Sequence, residues 1–327
     1  MKEEGVLGWG KSLPVPSVQE MVRNDSEFVP ERYVQDHKNR PLDSPTFFCS
    51  DSSDIPVIDL SLLISGDEDE LNKLDLAVKS GGFSREKEVC HAGERSSRIW
   101  TSICSLRTAE TGLGDLIFLM TRPIEDRNMK VLANSGEAVE EYSTELQKVT
   151  EEIMANLSAL MGMDRNGLER LHAVMKQSMR MNYYPPCSRP DLVLGVSPHS
   201  DGGSITILLQ DDEISGLQIK YKEGWLPIKP IPNALVVNVG DVIEAWSNGM
   251  YRSIEHRAVT NADKARMSVA TFVLPDAGID IGPVESMVKD RPRMYKDIKY
   301  LDYIKHFLER KMDGKAHTSF LLLESDS

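Results

Sequence analysis

The chain has 327 residues and carries 38 Lys+Arg against 51 Asp+Glu, a formal net charge of −13. Hydrophobic residues make up 40% and charged residues 27%, the usage of a chain that buries a core rather than of a disordered polymer. The acidic balance speaks against nucleic acid and anionic membrane as partners, since both require a basic face. Four cysteines without a C-x-x-C pair exclude a disulfide scaffold and a thiolate zinc site, so a reducing cytoplasm is the expected compartment. No targeting segment is expected behind the opening Met-Lys-Glu-Glu-Gly, and the longest apolar runs fall far short of the ~20 residues of a spanning helix.

Residues 1–54 are rich in Pro, Ser and charge and read as a loose arm, with one short helix after Pro16 that Ser17 caps. Residues 55–60 give a short strand, with Pro56 suited to an edge. Residues 67–79 read as a helix, its acidic first turn matching the macrodipole. Residues 80–113 are polar without a period of 2 or 3.6 and read as loop or weak helix.

The clearest helix spans 136–163, where Val139, Tyr142, Leu146, Val149, Ile153, Leu157 and Leu160 recur at steps of three and four. That pattern predicts a core-packing helix and no chemistry. From Met179 the texture changes to short β-forming runs divided by turn residues. Predicted strands cover 179–184, 192–196, 205–210, 217–221, 225–228, 235–239, 242–245, 253–259 and 267–274, and helical pattern returns around 294–310. Many short strands at regular spacing imply a jelly roll, so the predicted fold is mainly β, with helices in the N-terminal half framing it.

Within the β region, His199 and Asp201 form an H-x-D pair, and His256 follows on a later predicted strand. Residues i and i+2 of a strand share a face, so the pair can reach one metal. Two imidazoles and one carboxylate are the facial triad of non-haem Fe(II) oxygenases, with positions left open for other ligands. H-x-D…H alone is only suggestive, because strand histidines are commonly satisfied core or surface residues. Ten residues after His256 come Arg266 and Ser268, again i and i+2. A guanidinium fork beside a hydroxyl suits a planar carboxylate, and a buried Arg needs an anionic partner. A dicarboxylate could then bridge from the metal to Arg266. Taken alone, Arg266 is better read as a surface ion pair.

Seven ordered segments sharpen this reading: 180–187 (Arg-Met-Asn-Tyr-Tyr-Pro-Pro-Cys), 197–201 (Ser-Pro-His-Ser-Asp), 216–219, 232–234, 238–241, 251–257 and 266–268. Together they resemble the plant 2-oxoglutarate- and Fe(II)-dependent dioxygenases, nearest to the specialised-metabolism subgroup of alkaloid O-demethylases, norcoclaurine-synthase-like proteins and flavonoid oxidases. The match is almost continuous over 178–275 and looser through 14–79 and 114–163. The resemblance implies a double-stranded β-helix with His199, Asp201 and His256 as iron ligands. It implies that Arg266 and Ser268 hold the distal carboxylate of 2-oxoglutarate, that Tyr184 donates its hydroxyl to the cosubstrate, and that Asn182 lies beside it. The implied reaction consumes O2 and yields succinate and CO2 while a small apolar metabolite is hydroxylated, O-demethylated or desaturated, in a pocket walled in part by Phe272. Ascorbate is the implied reductant, and a monomer without nucleic-acid or membrane partners is expected.

One stretch departs from that family. Where it carries an aromatic-rich Trp-Gly-Phe-Phe-Gln run followed by Asn-His-Gly, this chain reads Lys-Ser-Gly-Gly-Phe-Ser-Arg-Glu over 79–86, and Asn-His-Gly is absent. Residues 80–113 look replaced and shortened, and a smaller loss is expected near 131–137. Loss of flanking strands exposes a sheet edge, so a catalytically silent paralogue is a second reading. A cupin-like Zn or Mn protein without cosubstrate is a third, which Arg266-x-Ser268 speaks against. The expected organisation is an N-terminal region at 1–115, framing helices at 116–174, the jelly roll at 175–276 and a helical tail at 277–327.

Overall fold

The computed structural model describes residues 18–24, 29–41, 55–80, 83–87, 114–127, 136–310 and 312–323. Its strands are β1 (Val57–Asp59), β2 (Phe83–Lys87), β3 (Asp115–Arg122), β4 (Lys176–Tyr184), β5 (Leu194–His199), β6 (Ile205–Gln210), β7 (Leu217–Tyr221), β8 (Gly224–Pro227), β9 (Ala234–Val239), β10 (His256–Val259), β11 (Arg266–Leu274), β12 (Asp280–Ile281) and β13 (Ile298–Lys299). The helices are α1 (Val18–Asn24), α2 (Leu60–Ser65), α3 (Glu68–Ser80), α4 (Gly136–Leu160), α5 (Gly167–His172), α6 (Asp241–Trp246), α7 (Glu285–Val288) and α8 (Tyr300–Glu309). A seven-stranded sheet runs β1-β2-β9-β6-β11-β4-β3 and a four-stranded sheet runs β5-β10-β7-β8.

Period-2 alternation gives the large sheet two different faces. Met179 and Met181 of β4, Ile205, Ile207 and Leu209 of β6, and Val269 and Val273 of β11 enter one buried cluster. The same cluster takes in Val139, Tyr142, Leu146, Val149, Ile153 and Leu157 of α4, so the predicted stripe of that helix is the stripe it buries. Leu160, expected in the same stripe, packs half-buried at its end. The intervening residues face the other way. Asn182 and Tyr184 of β4, Thr206 of β6, Asn238 of β9 and Ser268 of β11 line a cavity with Val196, Leu217 and Ala258 of the small sheet. The cavity thus sits between the two sheets, and the opposite face of the large sheet is apolar and packed against α4. This is a jelly-roll core in a helical frame, as the strand spacing predicted.

Two expectations are corrected. Residues 242–245, expected as a strand, lie in α6, whose six residues are all buried. A short apolar run has the same signature as a buried strand or a buried helix, and only the surroundings choose. Here Gly240 decides: a Cβ there would strike the carbonyl oxygen of Gly203, and this close approach starts the helix. The second correction concerns 80–113. Phe83–Lys87 forms strand β2, parallel to β1 and antiparallel to β9, with Arg85 opposite Val57 and Val236. The strand forms because β9 offers an unpaired edge, and edge hydrogen bonding needs no apolar pattern. Residues 88–113, and the expected loss near 131–135, lie outside the described residues.

Among the described residues no helix is long and apolar enough to cross a membrane. The 294–310 pattern resolves into β13 and α8, preceded by irregular chain. Cys187 is a buried free thiol, and the other three cysteines lie outside the described residues.

Candidate metal centre

His199 is the last residue of β5 and His256 the first of β10, and the two stand opposite each other in the antiparallel register. Their rings lie 4.3 Å apart between centroids. Asp201 follows two residues after His199 and completes the group, with one ligand atom from each residue within 4.8 Å of the others. His199 Nε2 lies 3.7 Å and His256 Nε2 3.8 Å from Asp201 Oδ1. The H-x-D pair and the distant histidine therefore meet as the spacing predicted.

The surroundings orient each donor atom. His199 Nδ1 lies 2.8 Å from the Ser197 carbonyl oxygen and His256 Nδ1 lies 3.2 Å from that of Ile254. A carbonyl only accepts, so each Nδ1 carries the proton and each Nε2 presents a lone pair toward Asp201. Asp201 divides its carboxylate the same way. Oδ2 accepts from Thr206 Oγ1 at 2.7 Å and Asn238 Nδ2 at 2.8 Å, which leaves Oδ1 aimed at the rings.

Electrostatics agree. Burial, reinforced by His256, pushes His199 down to about 3, so its imidazole is neutral near neutral pH. Burial opposes ionisation of Asp201. His256, His199 and the Asn238 and Thr206 hydrogen bonds outweigh it and hold the carboxyl below the ordinary range. Two imidazoles and one carboxylate, converging and pre-oriented, fit a divalent metal of the Fe(II) type.

The cosubstrate candidates lie on the same face. Arg266 is 3% exposed and stands opposite Tyr184 across β11 and β4, its guanidinium carbon 5.6 Å from that ring's centroid. Its Nη2 donates weakly to Gln210 Oε1 at 3.4 Å, and its Nε has no hydrogen-bond partner among the described residues. Burial draws the guanidinium below its ordinary value, and Tyr184 and Asp211 offset part of that effect. A buried cation with an idle donor awaits an anion. Gly216 makes the room: a Cβ there would come within 2.6 Å of Arg266 Cδ. Ser268 stands opposite Asn182, whose Nδ2 donates to Ser268 Oγ at 3.3 Å. Phe272 lines the same cavity two rungs further along β11.

All seven residues singled out from the sequence line one cavity. Thr206 and Asn238, which aim the carboxylate, were not singled out. Asn238 sits in one of the segments that carry the resemblance, and Thr206 is the polar interruption in the apolar run 205–209, which is the signal that marks it. Arg180 also lines the cavity, where its Nε donates to Asn182 Oδ1 at 2.8 Å.

The family model described as "2OG-Fe(II) oxygenase superfamily" matches residues 175–275. S-norcoclaurine synthase 1 of Coptis japonica is 36% identical, covering 96% of this chain and 97% of its own length. Codeine O-demethylase of Papaver somniferum is 33% identical, covering 95% of this chain and 97% of its own. That second alignment runs over 359 positions, more than the chain's 327 residues, so the relative carries residues that this chain lacks. The crystal structure of JOX2 in complex with 2OG, Fe and JA superposes with a TM-score of 0.83 at 28% identity, covering 95% of this chain and 99% of that one. With a facial group of two histidines and an aspartate, a matching jelly roll and relatives aligned along nearly the whole chain, the protein belongs to the 2OG-Fe(II) oxygenase superfamily.

Proposed function

We propose that the chain oxidises a small apolar metabolite with Fe(II), 2-oxoglutarate and O2, leaving succinate and CO2. His199, Asp201 and His256 hold the iron through two Nε2 atoms and Asp201 Oδ1. Bound iron would supply the redox chemistry that ordinary side chains lack. Arg266 receives the distal carboxylate of 2-oxoglutarate through its idle Nε–H and the adjacent Nη2, with the Ser268 hydroxyl beside it. Tyr184 and Asn182 orient the cosubstrate from β4. Phe272, Leu217 and Val196 keep the substrate side apolar and exclude water. The oxidation is hydroxylation, O-demethylation or desaturation, a choice set by which C–H the cavity presents.

The convergence of two Nδ1-anchored imidazoles on one free carboxylate oxygen carries this reading. Ascorbate serves as reductant, and the protein works as a cytoplasmic monomer whose site comes from one chain. The jelly roll at 175–276 is the catalytic unit, framed by 1–115, 116–174 and the tail 277–327.

The test is succinate formation from 2-oxoglutarate under air with added Fe(II), with and without chelator. The parent protein should form succinate, and His199→Ala should abolish it. Equal succinate from the parent and His199→Ala would sink the proposal. One observation favours a second reading, a silent paralogue: the relatives carry residues that this chain lacks. That reading predicts no succinate from a protein that nonetheless melts cooperatively and gains melting temperature with Fe(II) and 2-oxoglutarate.

A further inference from the structure

His199 ends its strand and His256 begins one. Both are paired in the ladder, His256 with His199 and with Ile219, but the chain leaves the sheet just after His199 and enters it just at His256, while a metal needs its donors held to within a few tenths of an ångström. The chain flanking the two histidines outside the ladder is where further support can act. The described chain returns to the site at residues 312–317, after α8.

Four of these residues, Met312, Gly314, Lys315 and His317, touch the neighbours of the candidate ligands. Met312 packs against Tyr184, Val196 and Ala258, three residues of the cavity wall. Gly314 forms a parallel bridge with His199 and donates its N–H to the Pro198 carbonyl oxygen at 2.9 Å. Its φ is +58°, and a Cβ there would come within 3.0 Å of the Glu255 carboxylate. The backbone at 314 therefore bonds to the residue before His199, with the side chain of the residue before His256 on its other side. Lys315 Nζ donates to Glu244 Oε2 at 2.5 Å and to the Ser253 carbonyl oxygen at 2.8 Å. Glu244 Oε2 in turn accepts from Ser253 N–H at 2.6 Å, which closes a ring around the turn that leads into His256. His317 Nε2 lies 3.0 Å from Asp241 Oδ2 and 3.1 Å from Ser200 Oγ, and Ser200 is the residue between the two ligands of the H-x-D pair. Asp241 N–H donates to the Asp201 carbonyl oxygen at 2.8 Å. Tyr303 of α8 donates to the same Asp241 Oδ2 at 2.6 Å.

We infer that residues 312–317 are a clamp on the metal centre, with Lys315 and His317 as positioning residues that fix the backbone on either side of His199, Asp201 and His256. This rests on the reading that those three hold Fe(II). The composition of the clamp supports positioning over mere closure of the fold. Met312 apart, this segment attaches through a half-buried ion pair and a buried imidazole–carboxylate contact, where a segment recruited for stability alone would bury mainly apolar area. Buried charged contacts are often no more stabilising than apolar ones of the same shape, so their use here fits a role in fixing geometry.

The experiment titrates the apoprotein with Co(II), whose ligand-field spectrum reports both occupancy and geometry. Parent, Lys315→Met, Lys315→Arg, His317→Ala and His199→Ala are compared, with the apo melting temperature of each measured in parallel. Lys315→Met and His317→Ala should bind Co(II) about 10- to 100-fold more weakly, with an altered band shape, as loss of an outer-shell support does elsewhere. Lys315→Arg should restore most of the affinity, because it keeps the charge against Glu244. Unchanged Co(II) affinity in both loss variants overturns the inference. So does a loss that merely follows the apo melting temperature and is not rescued by Lys315→Arg. If Lys315→Met does not fold, Gly314→Ala decides, since it disturbs only the backbone contact at 314; affinity equal to the parent's counts against the clamp. Co(II) binding that is absent in the parent, or that survives His199→Ala, removes the metal reading itself. Binding lost in His199→Ala but untouched in the clamp variants removes the clamp alone.

Discussion

The middle of the seven-stranded sheet and its β1–β2 edge share one hydrogen-bond ladder, yet their order comes from different sources. In the middle, β11 pairs with β4 along its whole length, and each strand has two duties. Val269 and Val273 meet the helices while Ser268 and Ala270 meet the cavity. Each duty demands its own residue class, so the alternation is written in the sequence. At the edge, β2 is a strand paired with β9 along Phe83–Lys87, and a polar sequence such as Phe-Ser-Arg-Glu-Lys carries no period that announces it. Beyond it, β1 is short, with Ile58 buried and Val57 36% exposed. Strand order imposed by side chains is therefore legible before folding, and strand order imposed by a neighbour's backbone is not.

Four measurements break or sharpen this contrast. The largest effect belongs to the middle. Leu235 of β9 is 1% exposed, and Leu235→Ala should cost about 2–5 kcal/mol in chemical denaturation, as truncation of a close-packed core leucine does. A cost below 1 kcal/mol would mean that β9 is not core.

Next comes acid. His172 at the end of α5 is fully buried, its Nδ1 2.6 Å from the Leu168 carbonyl oxygen and its Nε2 2.8 Å from Ser204 Oγ. Burial pushes it down to about 4, against 6.5 when exposed. The unfolded chain takes up this proton first as pH falls, so stability is intact above about pH 6.5 and declines toward pH 4. At ~1.4 kcal/mol per unit this amounts to on the order of 3 kcal/mol. Urea melts across that range, repeated with His172→Gln, should show the slope shrink in the variant. An unchanged slope would assign the acid loss elsewhere.

Arg266 sharpens the comparison from inside the regular region, because it is buried there without serving stability. Arg266→Met should weaken 2-oxoglutarate binding by about 10- to 100-fold, the 1.5–3 kcal/mol of a charge-assisted hydrogen bond. The melting temperature of the ligand-free protein should hold or rise, because an incompletely paired buried cation is replaced by an apolar chain. Destabilisation of the ligand-free protein would show that Arg266 is structural.

The smallest effect is predicted at the edge. Val57→Ala should shift stability by no more than about 0.5 kcal/mol, as exposed substitutions do. A loss near that of Leu235→Ala would erase the distinction between the two regions.

Much of the fold was legible for the same reason that the middle strands were. The stripe on α4, the strands at 205–210 and 217–221 and the alternation along 266–274 each place apolar residues on one packed face. The strand expected at 242–245 became α6 because Gly240 lies against Gly203 from a distant turn, a contact that no local pattern announces. The triad residues, Arg266 and Ser268 were legible because each sits in one of the ordered segments that carry the family resemblance, their chemistry and i, i+2 spacing alone being only suggestive. Thr206 and Asn238 are common residue types whose role depends entirely on where Asp201 Oδ2 lies.

By itself the sequence determined which side chains are chemically able to hold a metal and an anion, and which face of each strand they occupy, because residue type and period 2 are properties of the chain alone. Only the tertiary structure decided that His199 and His256 meet across a register, that Asp201 has one oxygen committed and one free, and that residues 312–317 return to the same site. Those are relations between positions far apart in the chain, and the energy that sets them exists only when the distant parts are in contact.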